Sequence, residues 1–343
     1  MTEKQFLQEL ESALTQMPQE ERIDILQDIQ EYFANGQADG KTDSEIAAEL
    51  GAPEAIAKEL MESFDGNQAD FASAINDLAE DKFDKVDIQI ENGILFISPS
   101  KDGKMHTDAI NKSYRQQLSV DILNRTLVIS LREERKWGIF SFTGSMKSPT
   151  LNVQLPAKIY EKIQIASDHG NVTGDGLQCT ELLVETDNGR IHFSQLTVDD
   201  AEFQSGNGEI ELKSILAKEL RAETDNGQLK FQDVRARNLD AKSDNGAIVM
   251  KQVESNVHAK TDNGRIHLLT NDLERNIKLE TDNGSIMLQT WTQPQNTTIR
   301  AEVDWGTVSV FGLKNRHSVF GNGDHSVDLQ SDYGEITVQL ASK

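Results

Sequence analysis

Thr224-Asp225-Asn226-Gly227-Gln228-Leu229-Lys230-Phe231 and Ser243-Asp244-Asn245-Gly246-Ala247-Ile248-Val249-Met250 are two copies of one pattern, nineteen residues apart. The marker glycine recurs at Gly170, Gly189, Gly208, Gly227, Gly246, Gly264, Gly284, Gly306 and Gly334, with spacings of 19, 19, 19, 19, 18, 20, 22 and 28. Two residues after it stand Val172, Ile191, Ile210, Leu229, Ile248, Ile266, Ile286, Val308 and Ile336, all branched aliphatics. Positions four after, five before and seven before are also apolar in nearly every copy; Gly174, four after the first glycine, breaks the rule. Steps of two with this fidelity predict strands with one buried face.

Two short strands meeting at a corner, repeated at a length too short for a βαβ unit, predict a β-solenoid (β-helix) with ~19-residue coils stacked about 4.8 Å apart. An antiparallel sandwich is the competing arrangement, though it has no reason to repeat one residue number. Asn-Gly at each corner predicts positive φ in a tight turn, with the preceding Asp accepting local amides and Ser or Thr stacking hydroxyls. Stacked like charges repel by roughly 0.9 kcal/mol per neighbour at the dielectric of water, which a cation would relieve. One carboxylate per coil is poor provision for calcium, which takes six to eight oxygens, so no metal site is expected.

Ahead of the coils, Val86-Ile88-Ile90 and Ile94-Phe96 flank Glu91-Asn92-Gly93, a hairpin or corner signal. Residues 84–156, including stretches at 118–131 and 137–156, are expected to supply strands that cap the stack, and 157–343 the coils, about nine in all. The long 28-residue spacing places a loop or cap near 311–325. Leu151-Asn152-Val153-Gln154-Leu155-Pro156, Lys162-Ile163-Gln164-Ile165 and the repeated Thr-Asp-Asn-Gly corners resemble the adhesin-type β-strand repeat family of bacteria over residues 84–340. That group includes LiaG-like and YvlB-like proteins, and the resemblance implies a link with envelope stress and no active site to transfer.

The first 80 residues are a different material: 19 acids against 4 bases carry −15 of the chain's −23. Phe6, Leu7, Leu10, Leu14 and Met17 share one helical face; Pro18 separates them from a second stripe of Ile25, Leu26, Ile29, Tyr32 and Phe33. That second helix is expected to end near Asn35, with 35–40 a loop by composition. Thr42 and Glu45 have capping-box spacing before a third helix, Gly51 suits its cap, and Pro53 opens a fourth. These elements, with Met17-Pro18 and Leu50-Gly51-Ala52-Pro53 in order, resemble the HAAS family, implying a signalling or docking domain over residues 1–64. Residues 65–83 read as a hinge with a short helix. A helix-turn-helix DNA reader is disfavoured because four bases cannot neutralise a phosphate backbone.

Chemistry is hard to find. Cys179 is the single cysteine, which excludes an intrachain disulfide, and an inert thiol is expected. The seven histidines show no metal-ligand spacing, and no nucleophile elbow or phosphate loop occurs. No catalytic, cofactor-binding or metal-ligating residues are therefore expected. Arg190 with Glu209, and His192, Glu211 and Lys230, alternate in sign between coils and read as cross-strand pairs. Trp291, Trp305 and Tyr333 sit at or near corners, where shielding of the core is expected ahead of a sugar platform. With no signal peptide or spanning segment, the reading is a cytoplasmic protein, peripheral at the inner membrane face at most. The expected function is a non-enzymatic signalling scaffold in envelope stress. It would act through a protein partner such as a membrane sensor or transcriptional regulator, without nucleic acid. A carbohydrate-binding or carbohydrate-cleaving β-helix is the alternative.

Overall fold

The computed structural model describes residues 1–61, 82–111, 116–133 and 148–342. The hinge and short helix expected over 65–83 fall almost wholly outside the described residues, as does most of the stretch 137–156. The chain divides into two compact units, and the helices and the repeat strands are taken separately.

In the head, α1 (Glu3–Ala13), α2 (Gln19–Ala38) and α3 (Asp43–Leu50) are followed by helical residues 53–61. Phe6, Leu10, Leu14 and Met17 meet Ile25, Ile29 and Phe33, and Ile46, Leu50 and Ile56 complete this core. Both α1 and α3 start in capping boxes. Thr2 with Gln5 and Thr42 with Glu45 exchange backbone-to-side-chain hydrogen bonds, which satisfy amides that the first helical turn leaves free. The expected loop at 35–40 is instead largely helix, since α2 runs to Ala38. Composition misled here because Gly36 serves packing: a Cβ on it would lie 2.8 Å from Ile46. Gly51 caps α3 at φ 89°.

The repeat unit is a stack of parallel strands, solenoid-like in architecture. Along one row, Ile191 lies beside Ile210, Ile210 beside Leu229, Leu229 beside Ile248, Ile248 beside Ile266 and Ile266 beside Ile286. Along another, Ala201, Leu220, Leu239, Val257 and Ile277 are successive neighbours. All eleven of these side chains are buried, so each row of like residues forms a continuous seam of the core. Gly174, the exception in its row, makes room for a neighbour: a Cβ there would fall 2.2 Å from the Phe193 ring.

Strand pairing runs through the corners. Ile248–Asn263, Ile266–Thr270, Ile286–Thr290, His325–Leu340 and Ile277–Asn283 are joined in that order by parallel ladders that return to the first, a closed ring of five parallel strands. The ring closes because Ile248–Asn263 and His325–Leu340 are long enough to serve a ladder on each side of the corner. These parallel ladders exclude an antiparallel sandwich for this part of the chain.

Two rungs depart from a simple sequential stack. Lys85–Asn92 pairs in parallel with Tyr160–His169, bringing Asn92 beside His169, so Glu91-Asn92-Gly93 is a corner of the same kind. At the other end the last two copies exchange places. His325–Leu340 pairs with Ile277–Asn283 on one side and with Thr297–Val310 on the other. The carboxy-terminal strand is thus an interior rung, and the penultimate copy is outermost. The crossover between them includes His317–Val319, antiparallel to Thr298–Arg300, which covers part of that outer edge.

Candidate functional site

The glycine corners are built from close approach. Gly189, Gly208, Gly227, Gly246, Gly264, Gly284 and Gly334 do not have the expected positive φ. A Cβ on any of them would lie 1.7–2.1 Å from the carbonyl oxygen of the glycine one rung away. The requirement is for absent side-chain volume between rungs. Positive φ falls instead at a second corner, at Gly176, Gln195, Ser214, Asp233 and Gln252, each six residues after a marker glycine. That corner escapes sequence reading because its five residues share no chemistry.

Inside the glycine corner runs a row of buried hydroxyls. Ser205, Thr224, Ser243, Thr261 and Thr281 donate to the carbonyls of Gly189, Gly208, Gly227, Gly246 and Gly264 at 2.9–3.1 Å, and Ser331 donates to Gly284 at 3.0 Å. Outside it runs a ladder of side-chain amides. Asn207 donates to Asn188, Asn226 to Asn207, Asn245 to Asn226, Asn263 to Asn245 and Asn283 to Asn263, all Nδ2 to Oδ1 at 3.0–3.1 Å. Sequence reasoning assigned the corner to aspartate, whereas asparagine makes the inter-rung contacts. The signal was the Asn that precedes six of the nine marker glycines, taken as a backbone preference.

The asparagine row ends in aromatics. Tyr333 occupies the next position beside Asn283, and Trp305 the position beyond Tyr333. Tyr333 is 58% exposed, Trp305 71% and Trp291 41%, so none of the three shields the core as expected.

A second feature crosses the strands ahead of the corners. His258 lies 3.3 Å from Asp240 through Nδ1 and 3.0 Å from Glu280 through Nε2, one carboxylate on each side. Lys278 adds a 2.9 Å ion pair to Glu280. Burial pushes the Glu280 carboxyl up, but hydrogen bonds from Lys278 and His258 outweigh it and hold the group below its ordinary value. Asn238 donates to Glu219, Asn256 to Asn238, and the backbone of Asn276 to Asn256, forming a shorter polar ladder along the same groove of about 470 Å³. Charges here are matched pairwise from rung to rung. His192 likewise meets Glu211 at 3.3 Å, while Lys230 reaches Glu209 at 2.6 Å rather than the expected Glu211.

Cys179 is buried, which pushes its thiol up to about 12 and removes its nucleophilicity near neutral pH. Among the described residues no group of three or more His, Cys, Asp or Glu is placed to hold a metal ion, and no helix is long and apolar enough to cross a membrane.

An acidic helical module is thus followed by a large parallel-strand domain with amide-lined corners. The chain belongs to the Toastrack DUF4097 family, whose model matches residues 83–339, and the HAAS model matches residues 5–59. Among solved structures, a putative adhesin from Bacteroides fragilis aligns with 75% of this chain and 92% of its own, at 16% identity and a TM-score of 0.41. A putative cell adhesion protein from Clostridium sporogenes aligns with 77% of this chain and 96% of its own, at 13% identity and a TM-score of 0.26. A search of curated proteins found no match.

Proposed function

We propose that the protein is a non-enzymatic regulatory scaffold of the bacterial envelope-stress response, in which the helical head docks a protein partner and the repeat domain is a rigid β-solenoid of about nineteen residues per coil. The observation that carries this reading is the pairing of charges. Several Lys, Arg and His side chains on the repeat faces are met by carboxylates of adjacent rungs, as with Lys162 and Glu181 at 2.6 Å or Lys218 and Asp199 at 2.8 Å. Such pairs stabilise a stack; a catalytic centre would hold unlike groups convergent on one reacting atom. The acidic head, with its own core, supports docking to a basic face on a membrane sensor or transcriptional regulator, from the cytoplasm or the inner membrane face.

The test is genetic and biochemical together. A strain lacking the chain should respond abnormally to a cell-wall antibiotic, and the full chain should restore the response. A chain carrying lysine at the exposed acids Glu9 and Glu11 should fold, yet fail to restore it and fail to co-purify with the regulator that the wild type retains. Restoration by that variant would refute docking through the acidic head.

A further inference from the structure

The asparagine ladder stops at Asn283, where the row continues as Tyr333 and then Trp305. A primary amide has two N–H donors and two lone pairs on oxygen. Within the ladder Asn263 spends one N–H on Asn245 and one lone pair on Asn283, leaving one donor and one acceptor for another molecule. Asn283 donates to Asn263, but the next rung supplies an aromatic ring where an amide would stand, so the ladder's last carbonyl meets no amide donor from that position. The row therefore places unspent amide groups, about 4.8 Å apart, beside two exposed aromatic rings on adjacent strands.

These rings are held on firm backbone. Thr297–Val310 is in register with His325–Leu340 from Thr297 to Val310 apart from one corner position, and Ile299, Ala301, Val327 and Leu329 beneath are buried. A ligand resting on them meets preformed strands and incurs little ordering cost.

We propose that Trp305, Tyr333 and the adjoining Asn283 and Asn263 form a binding site for a neutral β-linked hexose chain. The C–H face of a pyranose ring stacks on an aromatic ring, and its hydroxyls, each donor and acceptor, match the unspent groups of the amides. A neutral chain avoids the repulsion that the net negative charge of residues 81–343, 38 acids against 30 bases, imposes on an acidic polysaccharide. A cation is the other ligand that seeks aromatic faces. The row beside the rings consists of neutral amides, Asn283 and Asn263, whose unspent groups match hydroxyls, although Asp304 shares its exposed corner with Trp305 and a cationic ligand is therefore included in the test. This site is independent of docking by the helical head, so either reading stands if the other fails.

The experiment titrates the full chain with cellohexaose and, separately, chitohexaose, following tryptophan fluorescence and heat of binding. At least one should bind. Affinity should fall about tenfold or more in Trp305→Ala and in Tyr333→Ala, fall less in Asn283→Ala, and stay unchanged in Trp291→Ala. Trp305→Phe, which keeps an aromatic face, should retain most of the affinity, and melting curves should confirm that each variant is folded. Absence of binding by both oligosaccharides overturns the proposal, as does binding that survives both alanine substitutions. Binding of hexalysine, lost in Trp305→Ala while neither sugar binds, overturns it in favour of a cationic ligand.

Discussion

At the scale of the residue, the corner Asp-Asn-Gly divides three tasks among three adjacent side chains. Glycine lets backbones approach, asparagine ties rungs together outside, and aspartate is left facing solvent on most rungs. Gly227→Ala would put a Cβ 1.9 Å from the carbonyl oxygen of Gly208, backbone that cannot swing aside. It should destabilise by about 3 kcal/mol or more, at the upper end of what overpacking costs. Asp225→Asn keeps the size and removes one member of a charged row, so stability should move by less than about 1 kcal/mol, upward if at all. Chelator should leave the wild-type melting temperature unchanged. Denaturant midpoints of the two variants and a melt with and without EDTA check all three, and a shift of several degrees restored by calcium would make the aspartates ligands.

Single elements show how far the sequence was legible. Period-two aliphatics gave away the strands and their buried face, because burial acts on every rung alike. Capping spacing and the Phe6 to Phe33 stripes gave away the helices for the same local reason. The asparagine ladder and the second corner were not legible, since hydrogen bonds between rungs depend on register and the left-handed positions from Gln195 to Gln252 carry unlike residues. The groove at His258 was equally hidden: Asp240, His258 and Glu280 look like unrelated charges until stacking aligns them. A carboxyl held below its ordinary value in the folded chain stabilises the fold above its unfolded value and loses that contribution as pH falls through the folded one. Glu280 should therefore add stability at pH 7 that is lost only as pH falls below the ordinary carboxyl value of 4.5, by about 1 kcal/mol at most because the pair is partly solvated. Glu280→Gln should be less stable than wild type at pH 7, with the gap closing by pH 3. A gap that persisted in acid would assign the loss to packing.

On the scale of the whole molecule, the order of rungs decides how the stack tolerates change. The final strand sits between Ile277–Asn283 and Thr297–Val310, so both its edges are paired, while the outermost rung is partly covered by its own hairpin. An open edge invites association with another chain, and this crossover leaves less of one than a simple sequential stack. Interior rungs contact only their neighbours, and stability in such arrays is close to a sum of local terms. Removing residues 228–246 would join Gly227 to Ala247 and leave every surviving aliphatic on its own row; removing 228–236 would leave half a rung with its seams interrupted. The first deletion should retain a cooperative melt and native-like circular dichroism, and the second should lose both. Trimming 326–343 should be worse than its terminal position suggests, because it withdraws an interior rung and strands Thr297–Val310 without a partner along most of its length. Equal loss from the two internal deletions would mean that the nineteen-residue unit is not the unit of stacking, and a harmless carboxy-terminal trim would mean that the outermost rungs do not hold the order described above.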